Sequence, residues 1–183
     1  MTITIFRNEE GINLQEVVNR FKSSLIDKKS FKKDEVEVLV NLFAKNPVDK
    51  FIVSEFPDVE VAQGDILIWP KGTDMYNDYI NDIKNLKPTE SMILQQSDSI
   101  TGDHKVIPLN NSNLTLMEGT ITPKFMKNLK SGVSNKTFIR ALILKSEKPF
   151  LIIHREHGNI ALPAGEYMIC SQLDPRTLKV MID

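Results

Sequence analysis

The apolar positions of the chain change their spacing near Phe51. Before it they recur at helical intervals. After it they gather into short runs broken by Pro, Gly, Asn and Asp. Thr2 to Phe6 alternates β-branched and aromatic residues and predicts a short opening strand. Asn13 predicts a helix start, with Glu16 three residues on to complete a capping box. Leu14, Val17, Val18, Phe21 and Leu25 then set one apolar stripe along that helix. A second helix is predicted from Ser30, with Val36, Leu39, Val40 and Phe43 as its stripe. Asn46-Pro47 ends it, because proline donates no hydrogen bond and restricts the residue before it. The two helices form a hairpin whose stripes need burial against each other or against the sheet that follows.

Beyond Phe51 the runs predict strands at Phe51 to Val53, Asp65 to Trp69, Met92 to Gln96, His104 to Ile107 and Leu114 to Met117. Further strands are expected at Thr137 to Leu144, Phe150 to His154, Glu166 to Ser171 and Leu178 to Ile182. Asp74 to Leu86 reads as a helix instead. Met75, Tyr79, Ile83 and Leu86 keep helical spacing, acids come early, Lys84 and Lys87 come late, and Pro88 closes it. The expected fold class is α+β: an N-terminal helical extension over residues 1–50, then a compact β-sandwich or barrel-like domain over 51–183.

Composition narrows the function classes. The 183 residues suit one generous domain, and a net charge of -1 drives the whole molecule onto neither nucleic acid nor an anionic membrane. The single cysteine, Cys170, lies in an apolar run and reads as a small buried hydrophobe; it excludes an internal disulfide and any metal site built on cysteine pairs. The start MTITIFRNEE lacks the basic and apolar regions of a signal peptide. No apolar run approaches the ~20 residues of a membrane span. The expected location is the cytoplasm, with no membrane partner.

The densest chemistry lies in FLIIHREHGNIALPAGEYMICSQ, from Phe150 to Gln172. Along an extended strand Ile152, His154 and Glu156 share one face, and Ile153 and Arg155 the other. His157-Gly158-Asn159 suits a turn, and Leu162-Pro163-Ala164-Gly165 a second corner. An imidazole and a carboxylate two residues apart are candidate ligands for a divalent metal, with His157 from the turn and His104 from an earlier strand to complete the set. Against that, no spacing matches a specific zinc motif. His157 also suits a solvated corner, and Arg155 with Glu156 suits a surface pair.

A second feature is a stretch without acids, 119–146. It holds Lys124, Lys127, Lys130, Lys136, Arg140 and Lys145. Such a patch can contact the phosphates of nucleic acid, and it equally suits a solvated lysine face, since arginine rather than lysine is favoured for bidentate phosphate recognition. Phosphate loops, the GxSxG elbow and HExxH are absent. Asp58, Glu60 and Asp65 are scattered without a pairing that suggests acid–base work.

Four blocks occur in order: QGDILIWP from Gln63, SITGDHKVIP from Ser99, HREHGNIALPAGEYMICSQ from His154, and LKVMID from Leu178. In these the chain resembles a family of small, largely uncharacterised bacterial and phage-encoded proteins. The resemblance covers about the last two thirds and implies a small β-domain, with no activity to carry over. The matching positions are Thr101, Gly102, His104, Glu156, His157, Gly158, Pro163, Gly165, Tyr167 and Gln172. That family commonly has two histidines in the block where Thr101-Gly102-Asp103-His104-Lys105 has one. The LPAG turn is also similar to that of the cupins, small β-barrels that often hold a metal. Their closely spaced histidine pair is missing, so this likeness bears on shape.

The leading expectation is a non-enzymatic binding or structural accessory protein, bacterial or phage-encoded, with a protein partner or a second copy covering exposed sheet edges. One alternative is a metal-dependent cupin-like enzyme or small-molecule binder using His104, His154, Glu156 and His157. The other is a nucleic-acid-binding protein using Lys124, Lys127 and Lys130.

Overall fold

A computed structural model describes residues 3–55, 61–95, 103–109, 114–122 and 139–172. Among them, strands form two six-stranded sheets. The first runs in the order β1 (Ile3–Arg7), β2 (Lys50–Ser54), β11 (Asn159–Leu162), β10 (Phe150–Ile153), β7 (His104–Pro108), β6 (Ile93–Gln95). The second runs β3 (Val61–Gln63), β4 (Ile66–Pro70), β12 (Gly165–Ser171), β9 (Ile139–Ser146), β8 (Leu114–Ile121), β5 (Lys84–Thr89). Only the β2–β11 pair is parallel among those described.

The sheets face each other over a shared core in which Ile66, Ile68, Leu142, Leu144 and Tyr167 of one meet Val106, Phe150, Ile152, Ile160 and Leu162 of the other. Helices cover the outer faces. Helix α1 (Leu14–Ile26) and α2 (Lys33–Lys45) lie on the first sheet, where the Phe21 and Phe43 rings stack at 4.2 Å and both meet Phe51 edge-on. Helix α3 (Asp74–Tyr79) covers the second sheet, with Tyr79 stacked on Trp69 at 5.4 Å. Strands covered on both sides need apolar residues on both sides. That is why Tyr167, Met168, Ile169 and Cys170 are buried in succession rather than alternately. Burial pushes the Cys170 thiol up, in keeping with an inert hydrophobe.

Local chemistry sets the helix ends. Asn13 Oδ1 accepts the Glu16 N–H at 3.0 Å, as a cap should. The second helix starts at Lys33 instead of Ser30. The Ser30 hydroxyl donates to the Glu55 carbonyl and ties the corner to the end of β2. Glu35 closes the helix start by accepting the Lys32 N–H at 3.0 Å.

The expected helix over Asp74 to Leu86 is corrected. The helix stops at Tyr79, a 3-10 turn follows over Ile80–Asp82, and Asn85 takes φ 57°. The rest becomes edge strand β5, which gains a ladder with β8 and tolerates Pro88 because an edge leaves N–H groups unused. Strands β3 and β11 are additional to the expected set. The run from Phe150 leaves the sheet at Ile153, because the chain turns back through a Gly158 N–H to His154 carbonyl bond of 3.1 Å. Strand β1 pairs with β2 and so brings the N-terminal region into the first sheet. The segment Leu178 to Ile182 lies outside the described residues. Among the described residues, no helix is long and apolar enough to cross a membrane.

Candidate functional site

Three elements converge at one end of the facing sheets. Strand β7 begins at His104, with Val106 next on the inward face. Strand β10 runs antiparallel to it, with Ile152 opposite Val106. Continuing that register one step past the end of β10 sets His154 opposite His104. From the second sheet, the β3–β4 turn brings Gln63 and Asp65, because Gln63 follows the inward-facing Val61 by two residues.

The three imidazoles lie together. Ring centroids are 4.2 Å apart for His104 and His154, 4.5 Å for His154 and His157, and 5.7 Å for His104 and His157, with the planes nearly parallel. One nitrogen from each lies within 4.8 Å of the others. His104 and His154 are buried, and His157 is half-buried at the rim. Glu156 is carried outward by the turn and stays exposed, so the expected shared face of His154 and Glu156 is not formed. Its backbone N–H instead donates to His154 Nδ1 at 3.2 Å, and the His157 N–H donates to the same atom at 3.1 Å. These two donors place the proton of a neutral His154 on Nε2.

Two glycines make the arrangement possible. Gly64 has φ 57°, and a Cβ there would overlap the His157 imidazole. Gly158 has φ 87° and sits against the Lys50 carbonyl, which a Cβ would approach to 2.6 Å. Each combines a left-handed backbone with a space that no side chain can enter.

His104 is held at both ring nitrogens. Nε2 contacts Asp65 Oδ1, and Nδ1 lies 3.0 Å from Gln63 Oε1. The Gln63 amide is oriented by its other end, since its NH2 donates to the Gly158 carbonyl, an acceptor only. Burial lowers the His104 pKa to about 4; the Asp65 carboxylate opposes this, and repulsion from His154 in its protonated form adds to it. With the ring neutral, its proton faces the carboxylate. His104 Nδ1 and Gln63 Oε1 are then two lone-pair-bearing atoms set face to face.

Gln63 and Asp65 were not among the expected site residues. Their signal was the Gln63-Gly64-Asp65 sequence itself, an amide and an acid flanking a glycine before an apolar strand. Other motif positions hold the frame. Tyr167 donates its hydroxyl to the Pro163 carbonyl at 2.8 Å and pins the Leu162-Pro163-Ala164-Gly165 corner. Of the acid-free stretch, Lys124, Lys127 and Lys130 lie outside the described residues. Arg140 donates to the Ile93 and Leu94 carbonyls at 3.1 and 2.6 Å and pairs with Glu118. Lys145 pairs with Glu166 at 3.2 Å.

A family model described as a domain of unknown function (DUF8820) matches residues 62–172, which contain Gln63, Asp65 and all three histidines. No curated protein and no solved structure matches the chain.

Proposed function

The chain belongs to this family of unknown function, DUF8820, and we propose that it is a binding protein holding a divalent transition-metal ion at the three-histidine end of a two-sheet sandwich. One contact carries the reading: His104 Nδ1 and Gln63 Oε1 lie 3.0 Å apart in a buried place, and with the His104 proton on Nε2 against Asp65 both are acceptors. Two ligand atoms each about 2.1 Å from one ion lie about 3.0 to 3.4 Å apart at angles from square to tetrahedral. A cation between them supplies the positive charge that a neutral imidazole does not.

The surroundings support the same chemistry. Asp65 accepts the Nε2–H of His104, the carboxylate–histidine arrangement that fixes a ligand's tautomer and raises its basicity. His154 and His157 add imidazole nitrogens, which favour zinc, nickel, copper or iron over magnesium or calcium. Their spread of 4.8 Å exceeds the separation of ligands on one ion. The stacked rings therefore tilt inward on binding. His154 gives up either its Nε2 proton or the two backbone hydrogen bonds at Nδ1. Uptake on this reading releases protons and weakens as pH falls.

The test is equilibrium dialysis of the full chain against Zn(II), followed by elemental analysis, with the absorption of bound Co(II) as a second readout. One equivalent is expected, reduced by His157→Ala, a rim substitution that leaves the fold intact by circular dichroism. Folded protein that retains no metal after dialysis would overturn the reading.

A further inference from the structure

Among the described residues the two sheets end in four outer strands, β1 and β6 in the first and β3 and β5 in the second. An outer strand offers unpaired N–H and C=O groups to other chains, and proteins blunt it by keeping it short, bulged, charged or broken by proline. All but β1 are blunted in this way. β5 carries Lys84, Lys87 and Pro88, passes through Asn85 at φ 57° and shifts register against β8. β3 and β6 have 3 residues each. β6 also shifts register, and Arg140 takes its Ile93 and Leu94 carbonyls. β1 has none of these devices. Its run Ile3–Arg7 makes five unbroken pairs with β2 and contains no proline and no charge before Arg7. It exposes Ile5 at 64%, the highest value for a large apolar side chain among the described residues.

The ladder tells which groups of β1 are open. Continuing its register one step sets Asn8 opposite Asp49, to whose carbonyl it donates at 2.8 Å. Bonded pairs alternate along an antiparallel ladder, so Phe6 and Thr4 also turn their backbone toward β2, and Ile3, Ile5 and Arg7 turn theirs outward. We infer that β1 pairs antiparallel with β1 of a second copy of this chain, about a twofold axis at Ile5. In that register Ile5 exchanges both main-chain bonds with Ile5 of the second copy, and the Arg7 N–H meets the Ile3 carbonyl of the second copy. The Arg7 carbonyl already accepts the Glu9 N–H at 3.0 Å, which ends the ladder there. The strand fits itself. Arg7 faces Ile3 rather than another Arg7, so no like charges are opposed. Ile5 shares a face with Ile52, its partner in β2, and the symmetric pair therefore makes one apolar row from Ile52 to Ile52 across the junction. A net charge of -1 sets little repulsion between copies. Pairing uses up the one unguarded edge described in each copy, so it closes a dimer instead of growing a fibre. The inference stands apart from the metal reading, since it uses none of the residues of the histidine site.

Light scattering of the full chain over a concentration series tests this. A dimer is expected at about 100 μM, in reach of a small interface. Ile5→Lys sets two lysines opposite each other and removes the apolar row. Dimerisation should weaken at least about tenfold, while circular dichroism stays that of the folded chain. Ile5→Cys places two thiols across the axis. Diamide should link its copies into covalent dimers faster than those of Ile26→Cys, a position 61% exposed at the end of α1. A strict monomer at about 100 μM overturns the inference, whether the edge stays open or a segment of the same chain covers it. A dimer that Ile5→Lys leaves intact, with no faster linking through Ile5→Cys, overturns it too, because the junction then lies elsewhere.

Discussion

Asp65 and His104 meet across the two sheets, carboxylate to Nε2, with both side chains all but sealed from water. The turn after β3 supplies the acid and the first residue of β7 supplies the imidazole, so neither sheet alone contains the pair. Substituting Asp65→Asn keeps the shape but removes the charge that holds the His104 proton on Nε2. If His104 is a metal ligand, its outer partner should matter nearly as much as the ligand. Zn(II) affinity should then fall about 10- to 100-fold in the variant. Competition against a chromophoric chelator measures this directly. An unchanged affinity would separate Asp65 from the metal.

Acid should weaken the metal-free fold through His104. Burial brings its pKa from 6.5 down to about 4 in the folded chain. Between those values the unfolded chain binds a proton that the folded chain refuses, so stability is full above about pH 6.5 and declines as pH falls toward 4. The loss across that window is about 3 kcal/mol, because each tenfold change in proton affinity is worth about 1.4 kcal/mol. Urea unfolding at a series of pH values gives the slope. A ring resonance of His104 that stays in its neutral form down to about pH 4 gives the site-specific check. Stability that rises on acidification would show that the Asp65 carboxylate outweighs burial.

Gly64 is a position where sequence and site are tied by a single hydrogen atom. Alanine there must accept φ 57° and place its Cβ on the His157 ring. Gly64→Ala should cost more than about 1 kcal/mol of stability and push His157 out of the cluster. The signature is a His157 resonance moved to the chemical shift of a free, solvated imidazole, with metal uptake reduced to the level of His157→Ala. A variant that binds metal normally would mean that His157 is dispensable.

The class of fold was legible because burial writes itself into spacing. The stripes of α1 and α2, and most strand cores, follow from which residues must leave water. What spacing could not show is where tertiary pairing wins. Met75, Tyr79, Ile83 and Leu86 keep a helical interval, yet residues 84–89 take a ladder with β8 instead. Local pattern is weak there, because Leu86, the last of the four, is left 40% exposed. The site was legible in part. Three histidines stood out as rare residues near turns, and the antiparallel register of β7 and β10 brings two of them face to face. Asp65 looked like one scattered acid among many, since its partner lies 39 residues away and only the packing of the sheets brings them together. Glu156 misled for the opposite reason. The alternation that placed it beside His154 holds only while the strand lasts, and β10 ends at Ile153.

The helices raise the last question, whether residues 1–50 are an extension that the rest can do without. Their contacts argue against it. Phe21 and Phe43 stack on each other and stand edge-on to Phe51, and the same apolar cluster takes in Val53, Leu151 and Ala161 from three strands of the first sheet. Removing the helices uncovers that whole face, and removing β1 also strips β2 of its outer neighbour. Phe43→Ala should therefore cost about 3 to 5 kcal/mol, and the loss should be shared by the sheets rather than confined to the helices. Hydrogen exchange reports this: amides of β2, β10 and β11 should lose protection together with those of α1 and α2. A chain starting at residue 51 should aggregate, because an uncovered sheet face of this composition is a docking surface for other copies. A monomeric, cooperatively folding 51–183 fragment would show instead that the second sheet and the shared interior suffice on their own.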